Sequence, residues 1–128
     1  MKTPDIVLLS VLGLMIWIGG TIYYAHAGAA ILETTSRRYW ISFILSPLAS
    51  LAVCVAIFRW RQIPGTLWGE AALLLAIPGM FGEALVLTNF ATFMPKLQLS
   101  SGGRYGAFLF ITYALVLATA EVVTLKSR

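Results

Sequence analysis

The residue in this chain best placed to do chemistry is a glutamate inside an apolar run. Glu83 is the only charged residue between Glu70 and Lys96, which puts it near the middle of a segment long enough to cross lipid. An ionised acid at that depth costs about 2.5–3.5 kcal/mol even on lenient insertion scales. Glu83 is therefore expected to be neutral, paired or turned towards a wet cavity, and to face the bundle interior. Pro78 and Gly79 lie just before it. Proline removes one backbone hydrogen bond and glycine permits distortion, so a distorted helix is expected, with carbonyls freed near residues 76–77 or one turn earlier. Broken helices beside a carboxylate are how many transporters build midplane sites. Counting from the span ends brings Ser46, Pro47 and Ser50 to similar depth, along with Thr112 and Tyr113. Ser46, Ser50 and Tyr113 are thus the expected hydroxyl partners of Glu83. A structural role, with a neutral Glu83 hydrogen-bonded to a neighbour, is preferred to transport or catalysis.

The remaining reactive side chains point to less. Glu121 falls near the end of the last span, on the face of Ala114 and Ala118, where pairing with Lys2, Arg59 or Arg61 is expected. His26 is the only histidine and Cys54 the only cysteine. A bis-histidine haem would need a second subunit, and one cysteine makes no intramolecular disulfide, zinc site or redox pair. His26 and Arg104 are read as membrane-interface residues, and no metal or cofactor is expected. Catalysis would want a nucleophile with its base, or two carboxylates close together. Glu83 and Glu121 differ too much in depth, and no phosphate loop or catalytic motif is present, so no catalytic residue is assigned. A Glu83/Tyr113 pair moving a proton on a lipid-soluble substrate is chemically conceivable but carries no specific motif.

The elements that hold these residues are set by composition. Of 128 residues, 59% are hydrophobic and 11% charged, against about 25% charged in soluble domains. The net charge is +4 and the mean hydropathy +0.87. Lipid is the solvent this surface suits; nucleic-acid binding, disorder and a disulfide scaffold are disfavoured. Crossing about 30 Å of hydrocarbon takes about 20 apolar residues. The intervals Asp5–Glu33, Arg38–Arg59, Glu70–Lys96 and Arg104–Lys126 each satisfy that length. The expectation is one all-α domain over residues 1–128, an antiparallel bundle of four transmembrane helices near 5–32, 39–58, 66–93 and 104–125. Pro64-Gly65 and the Pro95 to Gly103 stretch mark turns.

Lys2, the apolar run from Ile6 to Ile18 and Ala25-His26-Ala27 imitate a secretory signal. The run continues to Leu32, however, and Asp5 is unusual in such a leader, so a retained first helix is expected. Lys2, Arg59, Arg61, Lys126 and Arg128 flank one side, and Arg37, Arg38, Lys96 and Arg104 the other. This small bias favours cytoplasmic N- and C-termini. Tyr23, Tyr24, Tyr39, Trp40, Trp60 and Trp68 read as aromatic belts. Small residues four apart, at Gly65/Gly69, Ala25/Ala29, Gly102/Gly106 and Ala114/Ala118, favour close helix packing without separating packing within the chain from a dimer.

In order along the second half come Ile77-Pro-Gly-Met80, the acid at Glu83, Ala84-Leu-Val86, Phe93-Met-Pro95, Tyr105-Gly-Ala-Phe108 and Tyr113-Ala-Leu-Val116. With Trp17-Ile-Gly-Gly-Thr21 near the start, this pattern resembles an uncharacterised family of small bacterial four-span integral membrane proteins. That family tends to have Asp where this chain has Glu83. The resemblance implies a bacterial inner-membrane location and brings no activity. Small multidrug-resistance transporters share the length and helix number, but their essential glutamate is in the first helix, whose apolar run here is uncharged. The expected role is that of a non-catalytic accessory or scaffolding component of the bilayer, in a homodimer or larger membrane complex. The alternatives are a small-solute or proton-linked transporter centred on Glu83, and a membrane enzyme on a lipid-soluble substrate.

Overall fold

The computed structural model describes residues 2–128. Thr3–Leu32 forms α1, Ser36–Trp60 forms α2, Trp68–Thr88 forms α3 and Gly102–Ser127 forms α5, with the single turn α4 at Phe90–Phe93. Tight 3-10 turns at Gly65–Leu67 and Leu99–Ser101 lead into α3 and α5. Four segments, Thr3–Ala27, Ser36–Trp60, Gly65–Thr88 and Leu99–Ser127, are long and apolar enough to cross a membrane. The protein is an all-α polytopic membrane protein, an antiparallel bundle of four long helices. The start of α1, the end of α5 and the 61–67 link lie at one end, the termini end; the 33–35 and 89–101 links lie at the far end.

The helix ends follow from local chemistry. Gln62 takes a left-handed φ of 54°, which lets the Ile63 N–H reach back to the Phe58 carbonyl at 2.9 Å. This closes α2 in the manner of a Schellman turn. The Trp68 indole N–H then donates to the Ile63 carbonyl at 2.9 Å. At the far end of α3 the helix stops at Thr88, short of the expected residue 93. The Thr88 hydroxyl donates to the Ala84 carbonyl at 2.7 Å and the Asn89 side-chain amide to Leu85 at 3.2 Å. Such side chains compete with the backbone ladder and favour termination. The chain then folds back, burying Phe90, Met94 and Leu97 against Leu32, Tyr39, Val86 and Tyr105. The distortion expected at Pro78-Gly79 does not break the helix. α3 runs unbroken through Pro78, as α2 does through Pro47, and the interruption falls at Asn89 instead.

α3 is the centre of the bundle, packed against α1 on one side and α5 on the other. Its buried face is built from small residues, including Gly69, Ala72, Ala76, Gly79 and Gly82. In lipid, association comes from close packing rather than from water exclusion, and small residues permit it. A Cβ on Gly13 of α1 would collide with the backbone carbonyl of Leu75, and one on Gly82 with the Trp17 indole. The Gly65/Gly69 pair is used within the chain. The Gly69 N–H donates to the Thr124 hydroxyl at 2.8 Å, and that hydroxyl donates to the Gly65 carbonyl at 3.2 Å.

α5 also packs along α2, so the helices run α1, α3, α5, α2 around the bundle, while α1 and α2 touch only sparsely. They are tied at their ends: by the short 33–35 link at the far end, and at the termini end by Arg61, which donates to Asp5 at 2.9 and 2.6 Å. Arg61 is therefore committed to Asp5. Glu121, expected to pair with a cation, instead lays its carboxylate across Gly69.

Gly13→Ala is expected to lower stability by about 1–3 kcal/mol, because the clash is with backbone and cannot be relieved by a rotamer change. Gly19→Ala, where a Cβ meets nothing within 4 Å, is expected to be neutral or slightly stabilising. Reversible unfolding in detergent distinguishes the two.

Candidate functional site

The sparse contact between α1 and α2 leaves a cavity of about 390 Å³ lined by all four long helices. At the termini end it is floored by a packed core that includes Leu9, Cys54, Phe58, Leu75 and Val116. Phe90, Met94, Leu97 and Tyr105 belong to the core that caps the far end. Of its lining residues only Ile16 on α1 and Ala49 and Val53 on α2 are exposed, and Gly20 of α1 lines it too. A Cβ on Gly20 would meet nothing within 4 Å. The exposed part of the lining thus lies on the α1–α2 side of the bundle, the side called the window.

Glu83 lines the cavity from α3 and is 8% exposed. Because α3 ends at Thr88, Glu83 sits little more than a turn from the helix end, nearer the far end than its place between Glu70 and Lys96 suggests. Tyr105, just inside the start of α5, matches that depth and is 1% exposed. Its hydroxyl donates to Glu83 Oε2 at 3.2 Å. Among the described residues Glu83 Oε1 has no hydrogen-bond partner.

Ser46, Ser50 and Tyr113 line the same cavity, but the hydrogen bond to Glu83 comes from Tyr105 and from none of these three. Tyr113 lies over Gly79, where a Cβ would come within 2.6 Å of its hydroxyl and 3.5 Å of Trp17 Cβ. The contribution of Gly79 is thus room for Tyr113, not a helix break. Among the described residues, two buried polar atoms on α1, Trp17 Nε1 and Thr21 Oγ1, have no partner, and Trp17 lines the cavity. Buried donors are nearly always satisfied in folded proteins, and this indole N–H is enclosed where the ring packs on Gly82.

The two interface residues lie apart from this cluster. His26 is exposed and its Nδ1 donates to the Ile22 carbonyl at 2.9 Å. Arg104 donates to the Leu32 carbonyl at 2.9 Å and lies 4.8 Å above the Tyr39 ring. It thereby satisfies a carbonyl at the C-terminus of α1, where a cation is favoured. Beside it, Glu33 accepts from the Gln98 N–H at 3.0 Å and the Ser101 hydroxyl at 3.0 Å. These bonds strap the far end together.

The family of unknown function DUF5367 matches residues 31–127. The chain belongs to that family. No curated protein and no solved structure matches it. The matched stretch holds Glu83, Tyr105, Tyr113, Ser46 and Ser50, while Trp17 and Gly20 of α1 fall outside it.

Sequence reading passes over Tyr105 as the partner of Glu83 and over Trp17 as a cavity residue. Tyr105 stood in the recognisable Tyr105-Gly-Ala-Phe108 stretch; locating the end of α3 at Asn89 rather than Lys96 would have matched its depth to Glu83. No pattern pointed to Trp17, whose position depends on how closely α1 approaches Gly82.

A double-mutant cycle of Glu83→Leu and Tyr105→Phe, read by unfolding in detergent, is expected to show a coupling of about 0.6–1.7 kcal/mol, the range of buried hydrogen bonds between membrane helices. Strict additivity would mean that this bond contributes nothing. Glu83→Gln keeps an acceptor for Tyr105 and is expected to stay close to the parent.

Proposed function

We propose that this protein binds a small lipid-soluble molecule within the membrane, drawn from the bilayer through the α1–α2 window. The observation that carries this reading is the cavity itself. Apolar walls converge on one buried carboxyl with an unpartnered oxygen, flanked by Trp17, Tyr24, Ser46 and Tyr113. Pockets for small molecules characteristically combine a mostly apolar lining with a few convergent polar groups. The packed floor at the termini end supports binding from the side over a water-filled channel. This reading develops the alternative centred on Glu83 and sets it ahead of the accessory or scaffolding role, since the Gly65/Gly69 packing motif is satisfied inside the chain.

The protein is further proposed to sit in a bacterial inner membrane with both termini in the cytoplasm, as the slight excess of Lys and Arg at the termini end supports. Reporter fusions at the two termini and at residues 62 and 98 test this. The termini and residue 62 are expected inside and residue 98 outside.

The window provides the decisive variant. A Cβ at Gly20 meets no protein atom within 4 Å, so Gly20→Leu is expected to preserve stability while filling the opening. Gly19→Leu, outside the cavity, serves as the control. Thermal unfolding of the full chain in detergent, with phenylbutanol and phenylbutylamine as probes, reads out binding through ligand-linked stabilisation. At least one probe is expected to stabilise the parent and Gly19→Leu, and neither to stabilise Gly20→Leu. Absence of any stabilisation of the parent, or equal stabilisation of Gly20→Leu, would overturn the reading.

A further inference from the structure

We propose that the occupant is a lipid-soluble amine whose protonated nitrogen is held at the Glu83 carboxylate, its apolar body lying in the cavity towards α2. This rests on the cavity reading above and specifies its ligand class. Three features of the site carry it.

The lining contains one carboxyl group and no Lys, Arg or His. Arg61 is committed to Asp5, and Arg104 to the Leu32 carbonyl and the Tyr39 ring. Among the described residues Glu83 therefore makes no ion pair. A lone charge of either sign is costly in hydrocarbon, but a carboxylate–ammonium pair is neutral overall and hydrogen-bonded. An anionic ligand would add a second negative charge with nothing to offset it.

The geometry of the carboxyl fits a donor. Oε2 accepts from Tyr105 at 3.2 Å, which leaves Oε1 as the acceptor for an N–H brought by the ligand. The bond is charge-assisted and so stronger than one to a neutral donor. The same cavity is lined by Trp17, Tyr24, Tyr105, Phe108 and Tyr113, and aromatic faces favour a cation over a neutral group of equal size.

Proton balance requires no further reactant. An amine that reaches the window as the free base, the form that dissolves in lipid, takes the proton from a neutral Glu83 carboxyl. The O–H bond breaks, the nitrogen lone pair forms the N–H bond, and the carboxylate and ammonium remain paired. An amine arriving already protonated meets the carboxylate directly. Both routes end in the same neutral pair.

Phenylbutylamine and phenylbutanol differ at one terminal group and both fit the cavity volume, so they separate charge recognition from simple filling. Binding to the full chain in detergent is measured by thermal unfolding for the parent and for Glu83→Gln and Gly20→Leu. The amine is expected to bind the parent at least tenfold more tightly than the alcohol. Glu83→Gln is expected to lose that preference while keeping the alcohol's affinity, and Gly20→Leu to lose both ligands. If the alcohol binds the parent as well as the amine, or Glu83→Gln keeps the amine preference, the amine assignment is wrong and the cavity reading stands. If neither probe binds the parent, both are wrong.

Discussion

Gly13 brings the backbone of α1 down onto the Leu75 carbonyl of α3, and much of the architecture depends on that approach. With no Cβ at Gly13, α1 lies close enough for Trp17 to seat its indole over Gly82. α5 docks on α3 by a related device, with Gly65 and Gly69 sharing the Thr124 hydroxyl. Once both sides of α3 are occupied, α2 finds its partner in α5 and has little contact with α1. The gap that results is a consequence of tight packing elsewhere. Lipid supplies no hydrophobic force to draw α1 and α2 together, so the gap has no reason to close.

The charged residues are sorted by depth in a way that keeps this arrangement in register. Asp5 with Arg61 ties α1 to the end of α2 at the termini end, while Glu33 and Arg104 bind the start of α5 to the end of α1 at the far end. Such partly exposed pairs contribute little individually. Their placement at both ends of the α1–α2 gap nevertheless bounds the window, which is open in its middle and tied at its rims.

Glu83 is the exception to that sorting. Hydrocarbon offers a carboxyl nothing to hydrogen-bond with, and among the described residues a single donor, Tyr105, reaches it. A purely structural glutamate would be expected to have both oxygens satisfied, since each unmet group inside the membrane is costly. Here, among the described residues, one oxygen of a cavity-lining carboxyl is left without a partner. A binding site differs from a core in this respect: its polar groups are held ready by the fold and completed by something else.

Much of this was already written in the order of the residues. Apolar runs bracketed by charges determined four long helices, because hydrocarbon thickness dictates length and the bilayer excludes unpaired backbone. The same logic singled out Glu83, since a lone acid in such a run must be accommodated. The residues now found around the cavity, Ser46, Ser50 and Tyr113 among them, were legible as polar groups at depth. What they would touch was not. The end of α3 at Asn89 depends on side chains of Thr88 and Asn89 closing the helix early and on Phe90, Met94 and Leu97 folding back into the far end. That early end shifted the depth of Glu83 and made Tyr105 its partner. The positions of Trp17, the window at Gly20 and the cavity between them were decided by tertiary packing alone. They depend on which glycine faces which backbone across two helices, and spacing along a single helix carries no record of its neighbour.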